Sequence, residues 1–215
     1  MEKKEKIRLL IGVILNTIIL IVGIYCISTY FKYLMRNDPD IRFRYFTNLS
    51  VITVTTLSIP NIVFLLMSLI KGKMIYPKWF SITKFVGLSM TTLTFFTVVL
   101  IIAPLTSYKE MFENVRFFTH LIIPVLVVVS YLFFEEKTLF EWQYTFFSFI
   151  PTILYSIIYT INVIILGNWP DLYRINAQGI WYIYEIAIDL FGFALAVGLY
   201  FLKKATFKRE NKNIV

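Results

Sequence analysis

Two residues of this chain have side chains suited to acyl-transfer chemistry. They are Thr47, in Phe46-Thr47-Asn48-Leu49-Ser50, and His120, the only histidine, in Phe118-Thr119-His120-Leu121-Ile122-Ile123-Pro124. A threonine hydroxyl is a weak nucleophile at neutral pH until a base within hydrogen-bond reach takes its proton. Imidazole, with an unperturbed pKa of about 6.5, is largely neutral and fit for that task, and such general-base assistance is typically worth about 10²–10⁴-fold in rate. A third group that orients the ring would complete the set, and Glu185 or Asp189 are the candidates; spacing alone does not choose between them.

The elements that must carry these residues follow from composition. Hydrophobic residues make up 58% of the 215 positions, aromatics 18% and charged residues only 16%. A soluble fold could not hide so much apolar surface, so the class is an all-α integral membrane protein. Apolar runs long enough to cross about 30 Å of hydrocarbon lie at roughly 9–31, 45–70, 80–104, 117–134, 142–167 and 180–202. The expectation is six transmembrane helices in one bundle, a single domain over residues 1–215. The first run follows the basic opening Met1-Glu2-Lys3-Lys4-Glu5-Lys6, yet it is too long for a signal peptide and lacks a small-x-small cleavage site, so it is expected to remain as the first span.

Lysine and arginine near helix ends set orientation. With six spans, Lys3, Lys4, Lys6, Arg8, Lys71, Lys73, Lys78, Lys137, Lys203, Lys204, Lys208, Arg209 and Lys212 share one side, against Lys32, Arg36, Arg42, Arg44, Lys109, Arg116 and Arg174 on the other. Both termini are therefore expected to be cytoplasmic, in a plasma membrane of bacterial type. Trp79, Trp142, Trp169 and Trp181 fall at predicted span ends, where an indole anchors in the headgroup layer. The net charge of +8 is spread over short loops on both faces and forms no stripe for nucleic acid.

Polar residues within the spans recur at helical spacing. Thr47, Ser50, Ser58 and Asn61 form one stripe, Ser148, Thr152, Tyr155, Tyr159 and Asn162 another, and Tyr182, Glu185, Asp189, Gly192 and Ala196 a third. Helix packing accounts for Ser58, Asn61, Ser148 and Thr152. Carboxyls within a membrane, as at Glu185 and Asp189, are functional candidates by default. Thr47 and His120 each lie about four residues, or roughly 6 Å, below the start of their spans. Asn48, Ser50, Tyr159, Asn162, Glu185 and Asp189 are expected to supply a supporting polar layer at that depth. Pro124 lacks an N–H, so the carbonyl of His120 is expected to lose its helical partner. Arg42, Arg44 and Arg116 stand just outside, and Arg44 with Arg116 could hold a lipid carboxylate through arginine's bidentate fit.

Three segments resemble the androgen-induced gene one family of six-span hydrolases and its short bacterial relatives. They are Arg44-Tyr45-Phe46-Thr47-Asn48-Leu49-Ser50, the stretch from Phe118 to Pro124, and the fifth-span end through Tyr159, Asn162, Gly167, Trp169 and Pro170. The resemblance implies a threonine hydrolase with Thr47 as nucleophile and His120 as its partner, cleaving fatty acid esters of hydroxy fatty acids taken from the bilayer. The stretch joining these two residues is more compact here than in the animal members, which makes substrate choice the least transferable property.

Other classes fit the same composition. A substrate-binding subunit of a vitamin transporter would use the outer polar layer as a ligand pocket without breaking bonds, and a nonenzymatic lipid sensor would do likewise. A lone cysteine, Cys26, and a lone histidine leave no ordinary metal site, and no cofactor is expected.

Overall fold

The computed structural model describes residues 1–34, 44–135, 140–173, 175–176 and 179–212. Arg36, Arg42, Lys137 and Arg174 lie outside them. Among the described residues six helices are long and apolar enough to cross a membrane: α1 (Lys3–Leu34), α2 (Phe46–Lys71), α3 (Lys78–Leu105), α4 (Asn114–Phe134), α5 (Trp142–Ile165) and α6 (Trp181–Lys212). The chain is an all-helical bundle of the expected class.

Helix ends run past the apolar runs in places. α1 begins at Lys3 and α6 continues to Lys212, because lysine and glutamate are good helix formers and a helix does not stop where hydrophobicity does. Between α3 and α4 a short turn, Tyr108–Met111, interrupts what sequence reads as plain loop.

α3 is the central helix. It packs against α2, α4, α5 and α6, and 56% of its apolar stretch is buried, against 17% for α5 and for α6. Its buried hydroxyls largely return to their own helix, as Ser89 does to Phe85 O and Thr92 to Leu88 O, which satisfies them where water is absent. One core cluster joins Ile19 and Cys26 of α1, Val51 and Val54 of α2, Phe85 and Leu88 of α3, Ile123 and Val127 of α4, and Ala196 and Leu199 of α6. Isoleucines such as Ile21 and Ile186 point outward, exposed, on the surface that faces acyl chains.

α1 and α2 pack along an antiparallel seam that glycines make possible. A Cβ on Gly23 would stand 2.0 Å from Thr55 Oγ1, and one on Gly12 would stand 2.6 Å from the carbonyl oxygen of Phe134 and 3.2 Å from Leu65 Cδ1. Thr55 cannot step aside, since its hydroxyl donates to Val51 O at 2.6 Å and its side chain is β-branched and buried.

Gly23→Ala is therefore expected to lower stability by about 1–3 kcal/mol through overpacking, read as a fall in thermal midpoint in detergent. Gly198→Ala is the control, because nothing lies within 4 Å of the Cβ it would add.

Candidate functional site

Thr47 is the second residue of α2 and half-buried. Its hydroxyl has no hydrogen-bond partner among the described residues, while its carbonyl accepts the Ser50 hydroxyl at 2.8 Å. Ser50, fully buried, also meets Thr94 Oγ1 at 3.2 Å on the central helix. Asn48 is buried beside it.

His120 sits on α4, 7% exposed. Pro124 has no N–H, and the N–H of Ile123 reaches back five residues to Phe118 O, so the turn carrying His120 widens into π-type geometry. The ring is held from outside its helix, with Nδ1 2.8 Å from the carbonyl oxygen of Met111 in the short turn. A carbonyl can only accept, so Nδ1 carries the proton and the neutral ring keeps its lone pair on Nε2. The orienting partner is thus a backbone carbonyl and neither Glu185 nor Asp189. Val51 and Ile123, on the next turns after Thr47 and His120, both belong to the main core cluster. No hydrogen bond joins them among the described residues.

The start of α2 is fixed by an aromatic clamp from the α5–α6 connection. Phe46 N–H donates to Tyr173 Oη at 3.1 Å, and Tyr155 Oη donates to Arg44 O at 2.5 Å while lying 3.3 Å from Tyr173 Oη. Burial pushes the Tyr173 phenol above its ordinary pKa, so it stays protonated. Tyr159, 1% exposed, donates to Asp171 at 3.1 Å, and Asp171 in turn accepts the N–H groups of Ile175 and Asn176 at 3.1 and 2.9 Å. Asp171 escapes sequence reasoning; its one signal is the Pro170-Asp171 pair, where a carboxylate after proline ties up a following turn. Trp169, expected as a headgroup anchor, stacks inside this clamp, with the Arg44 guanidinium 5.6 Å from its ring centroid and Tyr159 edge-on at 6.4 Å.

The remaining predicted residues divide between other places. Asn162 turns back on its own helix, donating to Ile158 O at 2.8 Å. Glu185 and Asp189 are half-buried in the α5–α6 seam, where Asp189 accepts the Ser156 hydroxyl at 3.1 Å. No hydrogen bond links them to Thr47 or His120 among the described residues. Arg116 lines an open cleft of about 430 Å³ with Tyr30, Glu110 and Glu113, and its Nη1 donates to Glu110 O at 3.2 Å. Arg44 is absent from that cleft, so the two arginines have different surroundings.

A polar centre at the other end of the bundle was not signalled by loop charges. Lys84 of α3, Asn16 of α1 and Ser130 of α4 converge on Glu135, each at most 5% exposed. Lys84 stands alone among the charged side chains in the interior of the third apolar run, and a charge counted by depth instead of by loop would have marked it.

Tyr173→Phe should leave the Phe46 N–H without its acceptor and loosen the clamp, at a cost of about 1–3 kcal/mol, measured as a lower unfolding midpoint with the helical content retained. Neither protein-family models, nor curated proteins, nor solved structures match this chain.

Proposed function

We propose that this chain is an intramembrane lipid-ester hydrolase with Thr47 as nucleophile and His120 as general base. The observation that supports this reading most is the Nδ1 contact of His120 with the Met111 carbonyl, because it leaves the basic nitrogen of a buried imidazole free for a proton. In the proposed reaction the Thr47 hydroxyl attacks the ester carbonyl carbon as Nε2 takes its proton. The imidazolium then returns that proton to the departing alcohol oxygen, leaving an acyl-threonine. Water, deprotonated by the same nitrogen, cleaves that ester and restores the hydroxyl. In the opening turn of α2 the Phe46 N–H is taken by Tyr173 Oη and the Asn48 N–H by Tyr45 O, so the Thr47 N–H is the backbone donor that would meet the developing oxyanion.

The substrate is a lipid drawn from the bilayer, in keeping with the fatty acid esters of hydroxy fatty acids that the family resemblance implies. Arg116 on the open cleft is the group for a free carboxylate, with Arg44 beside the clamp as a second cation at the same end. The excess of lysine and arginine at the other end supports cytoplasmic termini, and the likeness to short bacterial relatives supports a plasma membrane of bacterial type.

A fluorophosphonate probe tests the chemistry. Labelling and ester hydrolysis should both be lost in Thr47→Ala, and His120→Ala should reduce turnover by about 10²–10⁴-fold. Undiminished labelling of Thr47→Ala rejects that nucleophile. Arg116→Ala should raise KM for substrates with a free carboxylate and leave neutral esters unchanged; an equal loss on both rejects the arginine's role.

A further inference from the structure

The polar centre around Glu135 has unmet hydrogen-bonding capacity. Glu135 Oε1 accepts three donors: Lys84 Nζ at 2.5 Å, Ser130 Oγ at 2.6 Å and Asn16 Nδ2 at 3.1 Å. Its other oxygen, Oε2, is buried with no hydrogen-bond partner among the described residues. Lys84 uses a second N–H on Asn16 Oδ1 at 2.9 Å, and an ammonium has a third to give.

A second orphan lies in the same layer. In the α1–α2 seam Gly12 meets Leu65 and Gly23 meets Thr55. That antiparallel register sets Asn61, one turn outward of Leu65, level with Asn16, one turn outward of Gly12. Asn61 is fully buried; its Oδ1 accepts the Tyr76 hydroxyl at 2.5 Å and its Nδ2 has no partner among the described residues. Exchanging the amide's oxygen and nitrogen would still leave one of them unmet.

A buried acceptor without a donor and a buried donor without an acceptor, facing one layer of a bundle that water does not reach from the lipid side, are each costly. One guest relieves both. We infer that Asn16, Asn61, Lys84, Ser130 and Glu135 enclose a binding site for a small uncharged molecule bearing a hydroxyl, of which water is the smallest. Its proton goes to Glu135 Oε2, and its oxygen accepts from Asn61 Nδ2 or the third N–H of Lys84. The guest is uncharged because Lys84 and Glu135 already neutralise each other. Arg8 of α1 and Lys203 of α6 come to the same end with partners of their own: Arg8 pairs with Glu5 at 3.5 Å and donates to the Glu135 carbonyl, and Lys203 donates to the carbonyls of Tyr131 and Leu132 and lies 4.8 Å from the Tyr131 ring centroid. The site stands at the opposite end of the bundle from His120 and does not depend on the hydrolase reading.

The test uses the full chain in lipid nanodiscs, in a Tyr76→Phe background so that the Tyr76 bond does not contribute. Asn61→Leu and Glu135→Gln should each lower the thermal midpoint by at least about 3 °C, and the double variant should lose less than the sum, because either change empties the site. An unchanged or higher midpoint for Asn61→Leu, or strict additivity, overturns the inference. The unaltered chain gives a measurement free of folding defects: an experimental density map should show a peak within hydrogen-bond distance of Glu135 Oε2, and dry space there overturns the site. A peak the size of one oxygen identifies water, and a larger one a hydroxyl-bearing solute.

Discussion

Inside hydrocarbon, every polar group must be answered from within the protein, and the Lys84–Glu135 pair is the strictest instance of that rule here. Both side chains are almost fully buried, 2.5 Å apart, so neither can be removed without leaving a bare charge. The pair also dictates architecture. Lys84 rises from the central helix, Glu135 closes α4, and Asn16 of α1 binds both. That convergence requires α1 to lie unusually close to the end of α4, which is why Gly12, with no side chain, sits against the Phe134 carbonyl.

The far end of the bundle solves the same problem differently. There the partners are aromatic instead of an ion pair: Tyr173 accepts the Phe46 N–H, Tyr155 donates to the Arg44 carbonyl and Trp169 lies under the Arg44 guanidinium, while Asp171 ties the connection to Tyr159. Thr47 emerges from this clamp one residue after Phe46, and His120 is oriented by a second connecting element, the turn ending at Met111. The residues suited to chemistry thus stand where loops meet helices, while the ion pair is set into helices alone. Rigid packing below and adaptable connections above are a common division of labour for a site built on a scaffold.

The helices were legible in sequence because a bilayer imposes a length and a composition that few other environments impose. His120 stands out by type, as the only histidine, whereas Thr47 is one of many hydroxyls in the apolar runs and is marked by its depth and the segment around it. What sequence could not provide was direction around the helix and the path of connections. Counted along their runs, Asn162 and Glu185 reach the level of His120, yet a count carries no azimuth: Asn162 turns to its own helix, and Asp189, one turn beyond Glu185, takes the Ser156 hydroxyl. The Met111 carbonyl is a backbone atom in a segment of unremarkable composition, so no residue type announces it. Lys84 and Asn16 carried a signal in their rarity within apolar runs, but attention to loop cations hid it.

The end of α4 has one further implication. Its last carbonyls are met by Lys203 of the final helix, and the carbonyl of Glu135 by Arg8 of the first. Arg8 precedes α4 in the chain, whereas Lys203 follows Leu132 by 71 residues, so during synthesis the Tyr131 and Leu132 carbonyls gain their lysine only once the sixth segment has been made.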